Sequence, residues 1–303
     1  MQRSDIKSAV LLFITALIWG MAFVSQSKGM EFVKPLTFTA SRNLLAVLFL
    51  LPIVIHKCLS GKVDLKANLK GGTVCGIVLT AADFCQQYGI MNTTVAKAGF
   101  ITALYIIFTP LMGVFIHKKV GLKVWFCAAV ATVGMYFISI TDGFSIGRGD
   151  LFVFLCAILF ALHILVIDGF EEGTDGVVMS FVQFAVCFVI CLVLALIFDK
   201  PQVSQLREGI APILYAGILS SGIGYTLQTI GQRGFNPTAA ALILSLEAVI
   251  AAVSGVLAYK LGILSTDQSL TQRQIIGCII VFAAVIFVQL PDFKLRERKI
   301  SCD

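Results

Sequence analysis

The chain has 303 residues, of which 58% are hydrophobic and only 13% charged, and its mean hydropathy is +0.94. Soluble domains must cover their surface with polar groups, so this composition excludes a soluble globular protein and indicates a protein that crosses a membrane several times. The net charge of +6 is the modest basic excess typical of loops facing anionic lipid, and it is too small to predict binding to nucleic acid.

Ten apolar runs are long enough to cross a bilayer as helices, because about 20 helical residues span its hydrocarbon core. Short connections separate them and leave no room for a soluble domain. The predicted spans are 8–27, 35–55, 71–90, 96–116, 122–140, 150–168, 177–198, 210–231, 237–258 and 273–290. The first follows the basic segment MQRSDIK without a cleavage site, and we interpret it as a helix rather than a signal peptide.

Lys and Arg in the connections predict the orientation of the chain, since both are enriched in cytoplasmic loops. With the N-terminus inside, the inner connections hold more of these residues than the outer ones, most clearly in the first half. We therefore expect a multi-pass protein of the cell membrane with both termini in the cytoplasm.

The two halves of the chain are related by an internal repeat, which is visible when the first five predicted helices are laid on the last five. Matched positions include Trp19 with Phe160, Gly20 with Ala161, Arg42 with Gln183, Phe84 with Tyr225, Gln87 with Gln228, and Tyr105 with Glu247. Because five is an odd number, the second copy enters the membrane from the opposite side, and such inverted repeats place the substrate site at their interface.

The expected fold class is therefore an all-α membrane protein of ten transmembrane helices, in two inverted-topology five-helix repeats around a central cavity. The predicted units are 1–145 for the first repeat, 146–290 for the second, and 291–303 for a charged cytoplasmic tail.

Several motifs, in order, resemble those of an EamA-type member of the drug/metabolite transporter superfamily. They are ALIWGMAFVSQSKG, ASRNLLA and FTPLMGVF in the first half, and GDLFVFLCAILFALHILV, NPTAAALILSLEAVIAAVSG and GCIIVFAAVIF in the second. The resemblance implies a secondary transporter of small metabolites such as amino acids, acting as an exporter by alternating access. It also implies a central cavity lined by helices 1, 3, 4, 6, 8 and 9.

Polar side chains recur on one face of two predicted helices, at i, i+4, i+7 and i+11 spacing. Helix 3 carries Gly76, Thr80, Asp83 and Gln87, and helix 8 carries Ser221, Tyr225, Gln228 and Gln232. A polar face on a membrane helix looks either into a wet cavity or onto a neighbouring helix with which it forms hydrogen bonds. Asp83 favours the cavity, because a carboxylate is an expensive packing group.

Glu247 is the single acidic residue of the ninth span, where a carboxylate costs at least about 2.5 kcal/mol unless it is neutral, paired or wet. If it gains and loses a proton during transport, it couples export to the proton gradient. The alternative is a hydrogen-bonded carboxyl group that ties helix 9 to a neighbour. We expect Asp83 and Glu247 to approach one central space from opposite halves.

Arg42 and His163 each leave two interpretations open. Arg42 either reaches toward the outer membrane surface with its charged end, or pairs with Asp83 or an anionic substrate group. His163 is either a hydrogen-bonding or proton-relaying residue of the cavity, or a satisfied core histidine. The aromatic residues that either wall the cavity or simply pack are Trp19, Tyr88, Tyr105, Phe160 and Tyr225.

No catalytic motif of the HExxH, GxxxxGK or GxSxG type occurs, so we expect neither an enzyme nor a catalytic residue. The nine cysteines lack zinc-binding spacing, and with three histidines no metal site or cofactor is predicted. The expected partners are a small-molecule solute, protons as coupling ion, and the lipid bilayer. The alternative functions are a carrier of lipid-linked or nucleotide-sugar substrates, and a non-transporting membrane subunit on the same scaffold.

Overall fold

The computed structural model describes residues 3–61, 63–116, 121–139 and 147–289. Within these residues the chain forms helices joined by short loops, and no strand occurs among them. The charged tail predicted at 291–303 lies outside the described residues.

The helices follow the predicted runs closely. Their bounds are α1 Arg3–Gly29, α2 Pro35–Leu59, α3 Leu65–Ile90, α4 Val95–Phe115, α5 Leu122–Ser139, α6 Arg148–Gly169, α7 Gly176–Asp199, α8 Ile210–Gly231, α9 Pro237–Lys260 and α10 Gln272–Gln289, and a short helix Val203–Glu208 precedes α8. Seven of the described helices, α1, α2, α4 and α6 to α9, are long and apolar enough to cross a membrane. The class of all-α membrane protein is confirmed, and ten crossings stay a prediction.

Polar side chains fix where several helices begin. Asp64 accepts a hydrogen bond from the Ala67 backbone N–H, which starts α3 six residues before the apolar run predicted at 71–90. Thr94 caps α4 in the same way through the N–H of Lys97. Capping side chains satisfy N–H groups that have no partner inside the helix, so each helix start is specified locally.

Two helices, α4 and α9, are interrupted at matching positions of the two repeats. The break in α4 falls at 103–104 and the helix resumes at Tyr105, while the break in α9 falls at 245–246 and the helix resumes at Glu247. In each turn the hydrogen bonds tighten to three residues, as from Leu104 N to Ile101 O at 3.1 Å. The matched breaks support the repeat on the backbone as well as in the sequence.

The middle of α8 is a wide π-helix from Tyr215 to Tyr225, a form that is rare and often found at functional sites. It runs through the small residues Ser220, Ser221, Gly222 and Gly224, which let neighbouring helices approach.

Helix packing follows the repeat. Helix α3 packs against α6, and its counterpart α8 packs against α1. The pairs α2 with α7, α4 with α9, and α5 with α10 each join a helix to its own counterpart. Two structurally related halves that contact each other through matching helices produce this pattern, and it leaves α5 and α10 as a peripheral pair.

Small residues bring α9 close to two neighbours. A Cβ atom added at Gly20 of α1 would lie 2.4 Å from Ile250 Cβ, and one added at Gly99 of α4 would lie 2.7 Å from Ala251 Cβ. Close approach of this kind is a common basis of helix association in membranes, where burying apolar surface gives little driving force. Helix α9 is therefore held between α1 and α4 at the centre of the bundle.

Candidate substrate site

A small internal cavity lies where the breaks of α4 and α9 meet the π-helical part of α8. Its described walls come from α1, α2, α3, α4, α6, α8 and α9, and are Trp19, Phe23, Gln26, Arg42, Gln86, Tyr105, Phe160, Ile164, Ser220, Tyr225, Gln228 and Glu247. Its volume of about 20 Å³ is enough for about one water molecule. The cavity is therefore closed around its walls in this conformation.

Arg42 is buried in the bundle rather than extended toward the membrane surface, with only 2% of the residue exposed. Its Nε donates to Ser221 Oγ at 3.0 Å, and its Nη2 lies 4.0 Å from the Oδ1 of Asp83. Its Nη1 donates to Gln26 Oε1 at 3.4 Å. Of the two interpretations of Arg42, the structure therefore gives the pair with Asp83.

Asp83 does not line the cavity, although it is as deeply buried as Arg42. Its Oδ1 accepts a hydrogen bond from Tyr225 OH at 3.3 Å, so the carboxyl group lies behind two residues that do line it, Tyr225 and Arg42. A buried charge without a partner is costly, and this pairing keeps Arg42 and Asp83 together inside the bundle. Tyr225 and Arg42 thus separate Asp83 from the cavity.

Glu247 lines the cavity directly and is 3% exposed. It is the first residue after the break in α9, and Tyr105 holds the same place in α4. The Tyr105 hydroxyl and the Glu247 carboxyl group lie near each other, and neither the Glu247 Oε1 nor that hydroxyl bonds to any other described residue. The start of a half-helix carries a partial positive charge that favours an acidic group, so the break itself provides a position for Glu247.

Aromatic rings form one wall of the cavity. The rings of Trp19 and Tyr225 lie with centroids 4.5 Å apart, and Trp19 Nε1 donates to the backbone carbonyl of Ser220 at 3.2 Å. Phe160, the counterpart of Trp19 in the second repeat, also lines the cavity. The wall combines apolar ring faces with hydrogen-bonded edges, which suits an amphipathic ligand.

His163 lies outside the cavity, completely buried behind Tyr225. Its Nε2 is 3.0 Å from Gln183 Oε1, and its ring meets that of Tyr225 edge-on at 6.0 Å. This environment is that of a core histidine bonded to α7.

The remaining residues of the polar stripe join helices to one another. Thr80 Oγ1 donates to Gly76 O at 2.6 Å and contacts Cys187 of α7. Gln87 Nε2 donates to Gln26 O at 3.2 Å, and Ser221 accepts from Arg42. Both interpretations of the stripe therefore apply, because Tyr225 and Gln228 line the cavity while these three contact neighbouring helices.

Some cavity residues were not singled out by the sequence. They are Phe23, Gln26, Gln86, Ile164 and Ser220. Gln86 and Ser220 lie one position before the predicted residues Gln87 and Ser221. The sides of α3 and α8 that face the cavity are therefore rotated slightly from the predicted ones. No group of three His, Cys, Asp or Glu able to hold a metal occurs in the described part of the chain.

Comparison with known proteins places the chain in a family. A model of the EamA-like transporter family matches it twice, over residues 6–140 and 147–290. A relative from Archaeoglobus fulgidus named "Uncharacterized transporter" is 29% identical over 280 residues, covering 92% of this chain and 84% of the relative.

The fold also occurs among solved structures. A crystal structure whose title names no function is similar with a TM-score of 0.67 at 16% identity, covering 93% of this chain and 96% of the other. At that identity the likeness shows the fold alone. Because the two family matches span nearly the whole sequence, the chain belongs to the EamA-like transporter family, as a membrane-embedded helical protein with two copies of the family's repeat.

Proposed function

We propose that this protein is a secondary transporter that exports small amphipathic metabolites, such as amino acids, from the cell by alternating access. Ten helices cross the cell membrane in two inverted repeats, 1–145 and 146–290, with both termini in the cytoplasm. Membership of a transporter family, the paired helix contacts and the matched breaks of α4 and α9 support this arrangement.

The observation that carries the proposal is a closed cavity between the repeats with unused hydrogen-bonding atoms. Glu247 Oε1, Gln228 Oε1 and the Tyr105 hydroxyl all line it and bond to no residue outside it, since the Glu247 carboxyl group and the Tyr105 hydroxyl have only each other nearby. Buried polar atoms are normally paired, so these three are available to a ligand. An amino group suits the two acceptors, and the Trp19 and Tyr225 rings suit the apolar part of the same solute.

Loading a solute requires the cavity to widen, because about 20 Å³ is far below the volume of an amino acid. The tight turns in α4 and α9 border the cavity, and a helix bends more easily where its regular hydrogen bonds are interrupted. Opening toward one side and then the other would bring Glu247 into contact with water on each side in turn.

Protons are the proposed coupling ion, with Glu247 as the group that carries them. A carboxyl group that faces the solute binding space in every cycle can exchange a proton for a solute. Asp83 is paired with Arg42 and bonded to Tyr225, so it acts as a positioning residue and not as the carrier.

A carrier of nucleotide-sugar or lipid-linked substrates has less support. Such substrates carry phosphate groups, which call for free cationic donors. Among the described residues of the cavity wall, Arg42 alone carries a positive charge, and its guanidinium is already engaged by Ser221, Gln26 and Asp83.

Metabolite profiling of cells with and without the protein tests the function and identifies the solute. We expect one or a few amine-containing metabolites to fall inside the cells and rise in the medium on expression. Unchanged metabolite levels in both compartments, at confirmed expression in the membrane, would argue for a non-transporting subunit.

Glu247→Gln tests proton coupling, with Tyr105→Phe as the matched control at the equivalent position of the other repeat. In proteoliposomes carrying the solute found by profiling, we expect Glu247→Gln to lose stimulation by a pH gradient while keeping solute exchange. Tyr105→Phe should keep the stimulation by a pH gradient, because it leaves the carboxyl group, but it should exchange the solute with lower affinity, because it removes a hydroxyl group from the cavity wall. Wild-type stimulation in Glu247→Gln would show that the coupling group lies elsewhere.

A further inference from the structure

The two ends of the helix bundle differ in how their loops are joined. In the proposed orientation, an open vestibule of about 750 Å³ lies at the outer end, between the α1–α2, α3–α4 and α9–α10 connections and the start of α6. Ile90 lines the vestibule and Phe23 lines the central cavity, and both belong to one packed apolar cluster. The outer opening therefore ends on an apolar layer above the cavity.

At the inner end the α6–α7 loop is bonded to the α8–α9 loop. The Arg233 guanidinium donates from Nη2 to the backbone carbonyl of Glu171 at 2.9 Å, and also to that of Thr174. In return, the Glu171 carboxylate accepts the backbone N–H of Gly234 at 2.8 Å. Backbone groups of both loops thus take part, namely carbonyl groups of the α6–α7 loop and the Gly234 N–H of the α8–α9 loop.

The same α6–α7 loop is bonded to the first repeat. Asp175 Oδ2 accepts from Lys57 Nζ at 2.7 Å, and the Asp175 backbone N–H donates to Asn68 Oδ1 at 2.9 Å. One loop therefore connects α2, α3 and the start of α9 at the inner end. Separating these helices on the inner side requires its contacts to break.

The repeat gives each inner loop an outer counterpart with different chemistry. The α6–α7 loop corresponds to the α1–α2 loop, and the α8–α9 loop corresponds to the α3–α4 loop. In place of Arg233 the outer counterpart has Met91 or Asn92, neither of which has a guanidinium group. The carboxylate of Glu31 contacts Lys28 at 2.6 Å and Ser265 at 3.4 Å, and the vestibule lies between Glu31 and Asn92.

We propose that Arg233 is the positioning residue of an inner gate formed by the α6–α7 and α8–α9 loops. It biases the protein toward the conformation with the inner end shut and the outer vestibule open. In the opposite conformation the α1–α2 loop approaches the α3–α4 loop and closes the vestibule, as related repeats exchange their arrangements. This inference rests on the alternating access of the proposed function and assigns its resting state.

The exposure of the gate fits a contact that opens in each cycle. Arg233 is solvent-exposed and Glu171 is half-buried, so their bonds compete with water and contribute modestly. A contribution of about 1 kcal/mol changes a two-state ratio about fivefold, which is enough to set a resting state without locking it.

Distances between spin labels measure both ends of the protein in lipid nanodiscs without solute. Labels on Glu172→Cys and Thr238→Cys report the inner end, and labels on Lys34→Cys and Met91→Cys report the outer end, in a background whose accessible native cysteines are replaced by serine. We expect Arg233→Gln to raise the ratio of open to closed inner ends about fivefold. The outer pair should gain a population at shorter distance in the same variant.

Arg207→Gln is the matched control, because it removes an exposed arginine from the opposite end of the bundle and should shift neither pair. Glu171→Ala removes only the bond to Gly234, so it should move the inner pair in the same direction by less. Distances in Arg233→Gln and Glu171→Ala equal to those of the wild type would overturn the gate. The distance measurements use no solute and do not depend on transport. Shifted distances together with unchanged metabolite levels in the profiling experiment would therefore contradict only the proposed function.

Discussion

The two repeats have similar backbones but carry different side chains beside the central cavity. Both break their fourth helix at the same point, yet the first places Tyr105 after the break and the second places Glu247. Two identical halves would present the same groups to a solute from both sides. Because Tyr105 and Glu247 differ, the cavity has a hydroxyl group on one wall and a carboxyl group on the other, and its two sides are chemically different.

The second helices of the repeats differ in the same manner. Arg42 of α2 lies beside the carboxyl group of Asp83, whereas its counterpart Gln183 of α7 is bonded to the ring of His163. Each pair is buried between helices. The first repeat thus holds a guanidinium–carboxyl pair where the second holds an amide–imidazole pair, and the two should respond differently to the loss of a partner.

The largest expected effect separates these two pairs. Arg42→Met leaves Asp83 buried without its counter-ion and should lower the free energy of unfolding by about 3–5 kcal/mol. Gln183→Met leaves both ring nitrogens of His163 without a hydrogen bond and should cost about 1–3 kcal/mol. Thermal unfolding of the purified variants in one detergent measures both.

A double variant, Arg42→Met with Asp83→Leu, provides the control for the charged pair. Removing both charges should recover most of the loss, because the cost comes from the unpaired carboxylate. Equal losses for Arg42→Met and Gln183→Met would mean that charge does not distinguish the two repeats.

A smaller effect is expected where the first repeat has glycine and the second has alanine. Gly20 packs against Ile250 with no room for a Cβ atom, whereas its counterpart Ala161 is accommodated in the core. Gly20→Ala should therefore overpack the α1–α9 contact and cost about 1–3 kcal/mol. The control is Gly169→Ala, which meets nothing within 4 Å and should not lower the unfolding temperature.

The smallest expected effect compares the two ends of α7. Asp175 at its start is partly buried, which raises the pKa, but the Lys57 hydrogen bond and the N–H groups of Val178 and Val177 outweigh this and lower the pKa of Asp175 overall. Its stabilisation is therefore present above the unfolded-state pKa of about 3.9 and is lost as the pH falls through the lower folded value.

Lys57→Met should remove part of this stabilisation, at most about 1 kcal/mol, because water reaches about a third of each side chain and screens the pair. The difference from the wild type should shrink with added salt and at acidic pH. Asp199, at the other end of α7, instead accepts from the neutral Thr37 N–H and hydroxyl groups, so Thr37→Val should show no such salt dependence. Unfolding measured against salt for both variants distinguishes the two ends, and a salt-independent effect of Lys57→Met would contradict the assignment of its charge.

Much of the fold was open to prediction because the membrane imposes it. Apolar length marks the spans, but it misses the first turns of α3, whose start is fixed by the polar cap Asp64. The pairing of Tyr105 with Glu247 followed from the repeat, and both lie at equivalent breaks.

The candidate site was less predictable, because it depends on helix rotation and on distances between helices. A π-helix advances its side chains differently from an α-helix, so Ser220 of α8 lines the cavity where Ser221 was predicted. The burial of Arg42 depends on Asp83 and Ser221 from two other helices, and its own sequence neighbourhood contains no sign of either.

The small size of the central cavity has an electrical consequence. A space for about one water molecule, covered by an apolar layer toward the vestibule, cannot hold a continuous column of water across the bilayer. Among the described residues, the central cavity therefore offers protons and salt ions no continuous water path. A cell can keep many copies of such a protein in its membrane without discharging the gradients that the membrane stores.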